Sequence, residues 1–230
     1  MKSRNNKPKE APFSRVKSEK WRKKMAVDAL TRLKNLEPNP KCELYYESEF
    51  QLLVSVVLSA QTTDKMVNRC MIPIYEKGFT PETVLQWGQE KLLAKIKSIG
   101  LAPTKSKNVV ALSRLLIEKH KGQVPSTRQE LEALPGVGKK TASVILGEIF
   151  REPTLAVDTH VFRVTRRLGL HHDKTPEKAE KTLLEIVPES YRPQAHHWFI
   201  LLGRYTCKSQ KPTCSKCAID DICPYTKMLA

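Results

Sequence analysis

Apolar residues recur at helical spacing along most of the chain, as in Trp21, Met25, Ala29, Leu33 and Leu36, and again in Met66, Val67, Cys70, Met71, Ile74 and Tyr75. Alternating apolar and polar positions, the mark of a half-buried strand, are scarce. The stretch from Phe50 to Leu58 is apolar nearly all round and follows Ser48, which stands in capping-box spacing with Gln51. That pattern predicts a short helix buried at the centre of a bundle. Thr80-Pro81 and Thr175-Pro176 predict two further helix starts, each a cap followed by proline at the first helical position. Gly100 and Gly122 stand where helices should stop. The expected fold class is all-α, with roughly ten short helices and function in a groove between helix groups.

A chain of 230 residues can form one large or two small domains and bury a substantial core. Charge changes the picture more than size does. Forty Lys and Arg against 24 Asp and Glu give +16, more than solubility requires, and point to a polyanionic partner, of which nucleic acid fits best. Residues 1 to 24 hold ten basic and two acidic side chains, 10 − 2 = +8. They read as a solvated, disordered arm that adds non-specific phosphate attraction, with residues 1–20 set apart from the folded body. An organelle or nuclear address is the competing reading, against which stand the two acids and the lack of amphipathic periodicity. No stretch is long and apolar enough for a membrane span, and the N-terminus lacks an apolar signal core, so an intracellular protein without a membrane partner is expected.

Cysteine usage adds a second chemistry. Cys42 and Cys70 are isolated, whereas Cys207, Cys214, Cys217 and Cys223 fall within 17 residues as C-x6-C-x2-C-x5-C. Four cysteines packed so closely, without a signal peptide, read as metal ligands and not as a secreted disulfide framework. All-thiolate ligation suits an iron–sulfur cluster, since four sulfurs can each take one corner iron. Zinc stays open on chemistry alone, although its ribbons favour two short Cys-x2-4-Cys arms and only one is present. Lys208, Lys211 and Lys216 lie between these cysteines and make the loop a basic finger suited to a DNA backbone.

Two places repeat a theme of helix, glycine turn and basic helix. One is Ile99-Gly100-Leu101 followed by Lys105 and Lys107; the sharper is Leu134-Pro135-Gly136-Val137-Gly138-Lys139-Lys140-Thr141-Ala142. In the second, Gly136 and Gly138 permit positive φ and bare the backbone amides around Val137. The next helix starts near Lys139, so its unpaired N–H groups and positive dipole end can hold a phosphate without reading a base. Lys139 is expected to contact phosphate. An amine nucleophile must first shed its proton, and the helix terminus and Lys139 both disfavour a further positive charge at Lys140. Asp158, in Ala156-Val157-Asp158-Thr159-His160, follows an apolar run and opens a basic amphipathic helix. It reads as an N-cap, and near a reacting sugar it could also stabilise positive charge and accept a proton.

From the basic arm onward the chain resembles the endonuclease III family. The resemblance is carried by Leu134 to Ala142, by Val157-Asp158-Thr159-His160, by the C-x6-C-x2-C-x5-C array and by Leu58-Ser59-Ala60-Gln61-Thr62-Thr63-Asp64. It implies a bifunctional DNA glycosylase and lyase of base excision repair acting on oxidised pyrimidines in damaged double-stranded DNA. Lys140 would be the attacking amine, Asp158 the catalytic carboxylate and His160 its support. Cys207, Cys214, Cys217 and Cys223 would hold a 4Fe-4S cluster. Gln61 would fill the gap left by the flipped nucleotide, with Leu101 and Ile99 wedging the opposite strand, and Gly136, Val137, Gly138, Lys139 and Lys211 would meet the DNA. The implied fold is two helical lobes with the DNA groove between them. One lobe is a six-helix barrel with the helix-hairpin-helix, residues 42–152; the other joins 21–41 to 153–230 and carries the cluster. A monomer is expected. The adenine glycosylase branch of the same fold resembles the chain less well, because it lacks a lysine at the position of Lys140. A non-catalytic module that only grips backbone is the rival from another class.

Overall fold

The computed structural model describes residues 17–229, and every regular element among them is helical. The expected arm falls largely on residues 1–16, outside the described residues. Helix α1 already begins at Glu19 (Glu19–Leu36), capped by Ser18, so the last two residues of the expected arm, Glu19 and Lys20, are helical. The other helices are α2 Glu49–Ser59, α3 Asp64–Tyr75, α4 Pro81–Ile96, α5 Ala102–His120, α6 Arg128–Glu132, α7 Lys139–Ile149, α8 Thr159–Arg167, α9 Pro176–Ile186, α10 Arg192–Leu201 and α11 Thr226–Leu229. The chain divides into two compact units. One is Cys42–Glu152; the other joins the described residues up to Lys41 to those from Pro153 onward.

In the Cys42–Glu152 unit, α2 is the central element, with every residue from Phe50 to Leu58 buried. It packs against α3, α5 and α7. The Ser48 hydroxyl accepts from the Gln51 N–H at 3.2 Å, as the capping pattern predicts. The return bond differs by one residue, since Gln51 Oε1 accepts from the Glu47 N–H at 2.8 Å. Thr80 and Thr175 cap α4 and α9 in the same way, each cap stabilising its helix by about 1 kcal/mol. The one buried polar cluster on α2 closes internally: Tyr75 Oη donates to the Gln51 carbonyl at 3.0 Å and lies 2.7 Å from Ser55 Oγ. Gly88, with φ +67°, breaks α4 into two segments, a kink the periodicity does not reveal.

In the other unit, α1, α8, α9 and α10 surround Leu30, Leu183, Trp198 and Phe199. The Trp198 indole N–H, which would be costly to bury alone, donates to the Glu37 carbonyl at 2.7 Å and closes the end of α1. Buried His171 packs tilted against the Phe162 ring and accepts at Nδ1 from the Asp173 N–H, which leaves Nε2 to donate to Thr165 Oγ1 at 3.1 Å. Among the described residues no helix is long and apolar enough to cross a membrane.

Candidate nucleic-acid interface

In the Cys42–Glu152 unit, four exposed non-glycine residues take positive φ, Gln61, Leu101, Lys121 and Arg151, and the first two stand on neighbouring turns. Gln61 (φ +53°) follows α2, and Leu101 (φ +61°) opens α5. Both are non-glycine residues in the left-handed region, where each costs about 1 kcal/mol or more. Leu101 is also 56% exposed, so a large apolar side chain stands in solvent on a backbone that resists it. The two turns touch: a Cβ placed on Gly100 would lie 3.5 Å from both the Gln61 carbonyl oxygen and Thr62 Oγ1. Ile99, expected beside Leu101 as a wedge, is 2% exposed and belongs to the core, so its side chain cannot reach a ligand from there. Glycine at 100 reverses the chain between them, so neighbours in sequence face opposite ways.

The hairpin of α6 and α7 also divides its residues. Gly136 takes φ +84°, and a Cβ there would press to 3.1 Å from Asn108 and 3.2 Å from Val57. The positive φ favours glycine, and a side chain would also need Asn108 and Val57 to give by a few tenths of an ångström. Gly138 does not use positive φ; it is extended (φ −99°) and serves as the N-cap of α7 with open space around it. Val137 points inward to the core, so it offers only backbone. No side chain caps α7, and its first turn carries no acid. Its leading N–H groups therefore keep their capacity for an anion. Lys139 and Lys140 stand exposed on that first turn. Arg128 spans the hairpin by donating to Ser143 Oγ at 3.1 Å.

In the other unit, Asp158 is the N-cap of α8, its Oδ1 accepting from the Val161 N–H at 2.7 Å. It is half-buried. His160, expected to support Asp158, meets Arg163 instead, with Nδ1 3.2 Å from Nη2. Arg163 also donates from Nη2 to the Gly203 carbonyl at 2.9 Å and from Nε to the Cys207 carbonyl at 3.0 Å. Burial draws the Arg163 guanidinium down from its ordinary range, with Cys207 and Asp158 opposing that shift. Gly203 is obligatory, because any Cβ there would lie 2.8 Å from that of His160. It sits in a π turn, Leu202–Thr206, that delivers Cys207 to the finger.

The finger is built by short backbone closures, among them Cys217 N–H to Cys214 O at 2.9 Å and Cys223 N–H to Ile219 O at 3.0 Å. Arg167, only 8% exposed, anchors its start by donating to the Lys208 and Ser209 carbonyls at 2.7 and 3.1 Å and to Cys207 Sγ at 3.2 Å. Its guanidinium also covers the Tyr225 ring at 4.4 Å. None of the four finger cysteines is in a disulfide, and all are half-buried. Burial pushes the Cys217 thiol up to about 11; a backbone hydrogen bond at Ile219 opposes this, and the other three thiols raise it further, so all four share one electrostatic neighbourhood. No group of three or more His, Cys, Asp or Glu among the described residues closes on a point as a single ion requires. Lys208, Lys211 and Lys216 are exposed along the finger, Lys211 with φ +47°.

Sequence reading missed the work of Arg163, Arg167 and Lys105. All three sit in stretches that read as basic helix surface, and only the carbonyls that surround them mark them as struts.

The chain matches the HhH-GPD superfamily of base excision DNA repair proteins over residues 54–189. It is 47% identical to endonuclease III of Haemophilus influenzae over 86% of its own length and 94% of that protein's. Endonuclease III of Escherichia coli strain K12 shares 46% identity over the same proportions. Among solved structures, a trapped endonuclease III–DNA covalent intermediate superposes with a TM-score of 0.84 at 41% identity, covering 90% of this chain and 98% of that one. A thermostable thymine-DNA glycosylase shares the fold with a TM-score of 0.73 at 22% identity, covering 92% and 100% of the two chains. With identity near one half across most of both chains, this protein belongs to the HhH-GPD superfamily of base excision DNA repair proteins and, within it, to the endonuclease III family.

Proposed function

We propose that this base excision DNA glycosylase and lyase removes oxidised pyrimidines from damaged duplex DNA through Lys140, with Asp158 as its carboxylate. The observation that carries this reading is the placing of Lys140: exposed in the first turn of an uncapped helix that leaves a glycine hairpin. The α7 amides and Lys139 take a phosphate, which fixes the backbone of the DNA and lets the amine reach an extruded sugar. Nζ, once it has lost a proton, bonds to the anomeric carbon as the bond to the base breaks. The departing base takes up a proton. Asp158 stabilises positive charge on the sugar ring and accepts the amine's proton. The ring then opens to a Schiff base. Loss of a proton from the adjacent sugar carbon expels the 3′ phosphate, and water releases the lysine. Gln61 occupies the space the flipped nucleotide leaves and Leu101 wedges the opposite strand, which compensates for the lost stacking.

Cys207, Cys214, Cys217 and Cys223 fit a 4Fe-4S cluster. The support is four thiols outside any disulfide in one electrostatic neighbourhood, with the Arg167 guanidinium beside one sulfur to offset thiolate charge. When bound, the cluster would cross-link a finger that has little core of its own. Lys208, Lys211 and Lys216 would then present fixed charge to the DNA backbone.

Borohydride reduction during turnover of a thymine glycol duplex tests the nucleophile. A covalent protein–DNA adduct is expected from the wild type and none from Lys140→Ala; no adduct from the wild type would leave the hairpin as a grip only. Asp158→Asn separates chemistry from capping, because asparagine caps a helix about as well as aspartate. Excision should fall by roughly a hundredfold or more while α8 and DNA affinity persist. Equal loss of binding would make Asp158 a structural cap.

A further inference from the structure

Lys105 lies in a stretch that reads as basic surface, yet it is 4% exposed. A phosphate contact is closed to it. Its ammonium is surrounded by oxygen acceptors: the Leu58 carbonyl at 2.8 Å, the Ala60 carbonyl at 2.6 Å and Thr62 Oγ1 at 3.0 Å. Three donors meet three acceptors, so the group is fully satisfied. Two of those acceptors lie at the C-terminal end of α2, where the helix dipole favours a cation. Burial lowers its pKa, and no carboxylate among the described residues pairs with it. A buried cation without a counter-ion is a costly way to fill a core that an apolar side chain would fill for less. What distinguishes it is what it joins. Its acceptors flank Gln61 on both sides, and its own backbone N–H donates to the Leu101 carbonyl at 3.0 Å. One residue thus ties together the two left-handed turns that Gly100 brings into contact.

We propose that Lys105 is a positioning residue that locks the Gln61 and Leu101 turns against each other, so that both enter a duplex as one preformed wedge. This rests on the proposed wedge roles of Gln61 and Leu101. Preforming matters because each turn holds a strained backbone that would relax if its neighbour were free to move.

The test compares single-turnover excision of thymine glycol in two duplexes, one with adenine opposite the lesion and one with an abasic analogue there. In the second the lesion is already unpaired and little wedge is needed. Lys105→Met should keep the wild-type helical spectrum and affinity for undamaged duplex, excise the paired lesion about tenfold more slowly, and recover to within about twofold on the unpaired one. The Lys105→Met, Gln61→Ala double variant should be no slower than the slower single variant. A defect equal on both duplexes, or one that multiplies in the double variant, would show that Lys105 only supports the fold, and would overturn the inference. If Lys105→Met does not fold, Thr62→Val removes one acceptor at constant volume and should show the same relief from a smaller defect, about threefold. Wild-type rates from Thr62→Val on the paired lesion would then overturn it. Failure of the underlying wedge roles is read separately: Gln61→Ala and Leu101→Ala would each excise the paired lesion at the wild-type rate.

Discussion

The Cys42–Glu152 unit and the unit joining the N-terminal helix to Pro153 onward solve the same problem by different means. Each must hold exposed functional groups on backbone that would rather relax. The first does so with bulk: a continuous apolar core around α2, into which a single buried ammonium is set. Its turns at Gln61, Leu101 and Gly136 hold left-handed backbone directly against core residues such as Leu58, Ile99 and Val137. The second unit has its own core around Trp198 and Phe199, and its finger meets that core through Ile219, Cys207, Cys217 and Cys223 while its lysines stay in solvent. There the backbone is held by Arg163 and Arg167 on carbonyls, to which the proposed cluster on four cysteines would add. The contrast teaches that precision drawn from packing is intrinsic to the chain, whereas precision drawn from ligands depends on what the ligands hold.

Removing the proposed cluster should therefore break the comparison most sharply. Chelating iron under reducing conditions, or Cys217→Ser, is expected to open the finger, since the proposed cluster's bonds to the thiolates form only in the folded chain and so contribute to its stability. Hydrogen exchange should accelerate at the amides of residues 207–223 while those of α2 and α5 keep their protection. Uniform acceleration along the chain would mean that the two units do not differ as described. The converse experiment acts on the packed unit. Leu53 is fully buried on α2, and Leu53→Ala should cost roughly 2–5 kcal/mol, read as lost protection around α2, with the ligand-to-metal absorption of the finger unchanged.

Helix starts were legible in the sequence because a cap is a local event. Ser48, Thr80 and Thr175 each bond an amide three residues on, and nothing distant is needed to see it. The burial of α2 was legible for a related reason, since a helix apolar on every side has nowhere else to go. The hairpin string, Asp158 and the cysteine array could be found as motifs. What could not be read was direction. Ile99 and Leu101 flank one glycine and have like side chains, yet one is core and the other solvent-exposed. Lys105, Arg163 and Arg167 look like any basic helix face until the fold brings carbonyls to them. Gly203 gives no sign in sequence that His160 will press on it. Burial of a charge depends on long-range contacts, and local pattern does not encode those.

A smaller effect separates the units by pH. Burial lowers the His171 imidazole to about 4, against 6.5 in an unfolded chain. Between those values the unfolded state binds the proton and the folded state does not. Stability from this group is thus complete above pH 6.5 and is lost as pH falls toward 4, about 3 kcal/mol in all. His172 is also lowered, chiefly by burial, and adds in the same direction. Urea midpoints at pH 7.5 and 5 should fall less steeply for His171→Gln than for the wild type. An unchanged slope would place the acid sensitivity elsewhere.

The smallest effect bears on the strained turns themselves. At most positions replacing alanine by glycine destabilises by about 0.5–1 kcal/mol, because glycine loses more freedom on folding. Leu101 should invert that order. Its φ of +61° costs any side chain with a Cβ about 1–2 kcal/mol, and with most of its surface in solvent little burial is lost on truncation. Leu101→Gly should therefore be more stable than Leu101→Ala by up to about 1 kcal/mol, although both remove the wedge and should excise a paired lesion equally slowly. A difference in midpoint without a difference in rate would show that the left-handed turn stores strain to present a side chain. If alanine proved the more stable, the turn would be free to relax, and the rigidity assigned to the packed unit would end short of its working edge.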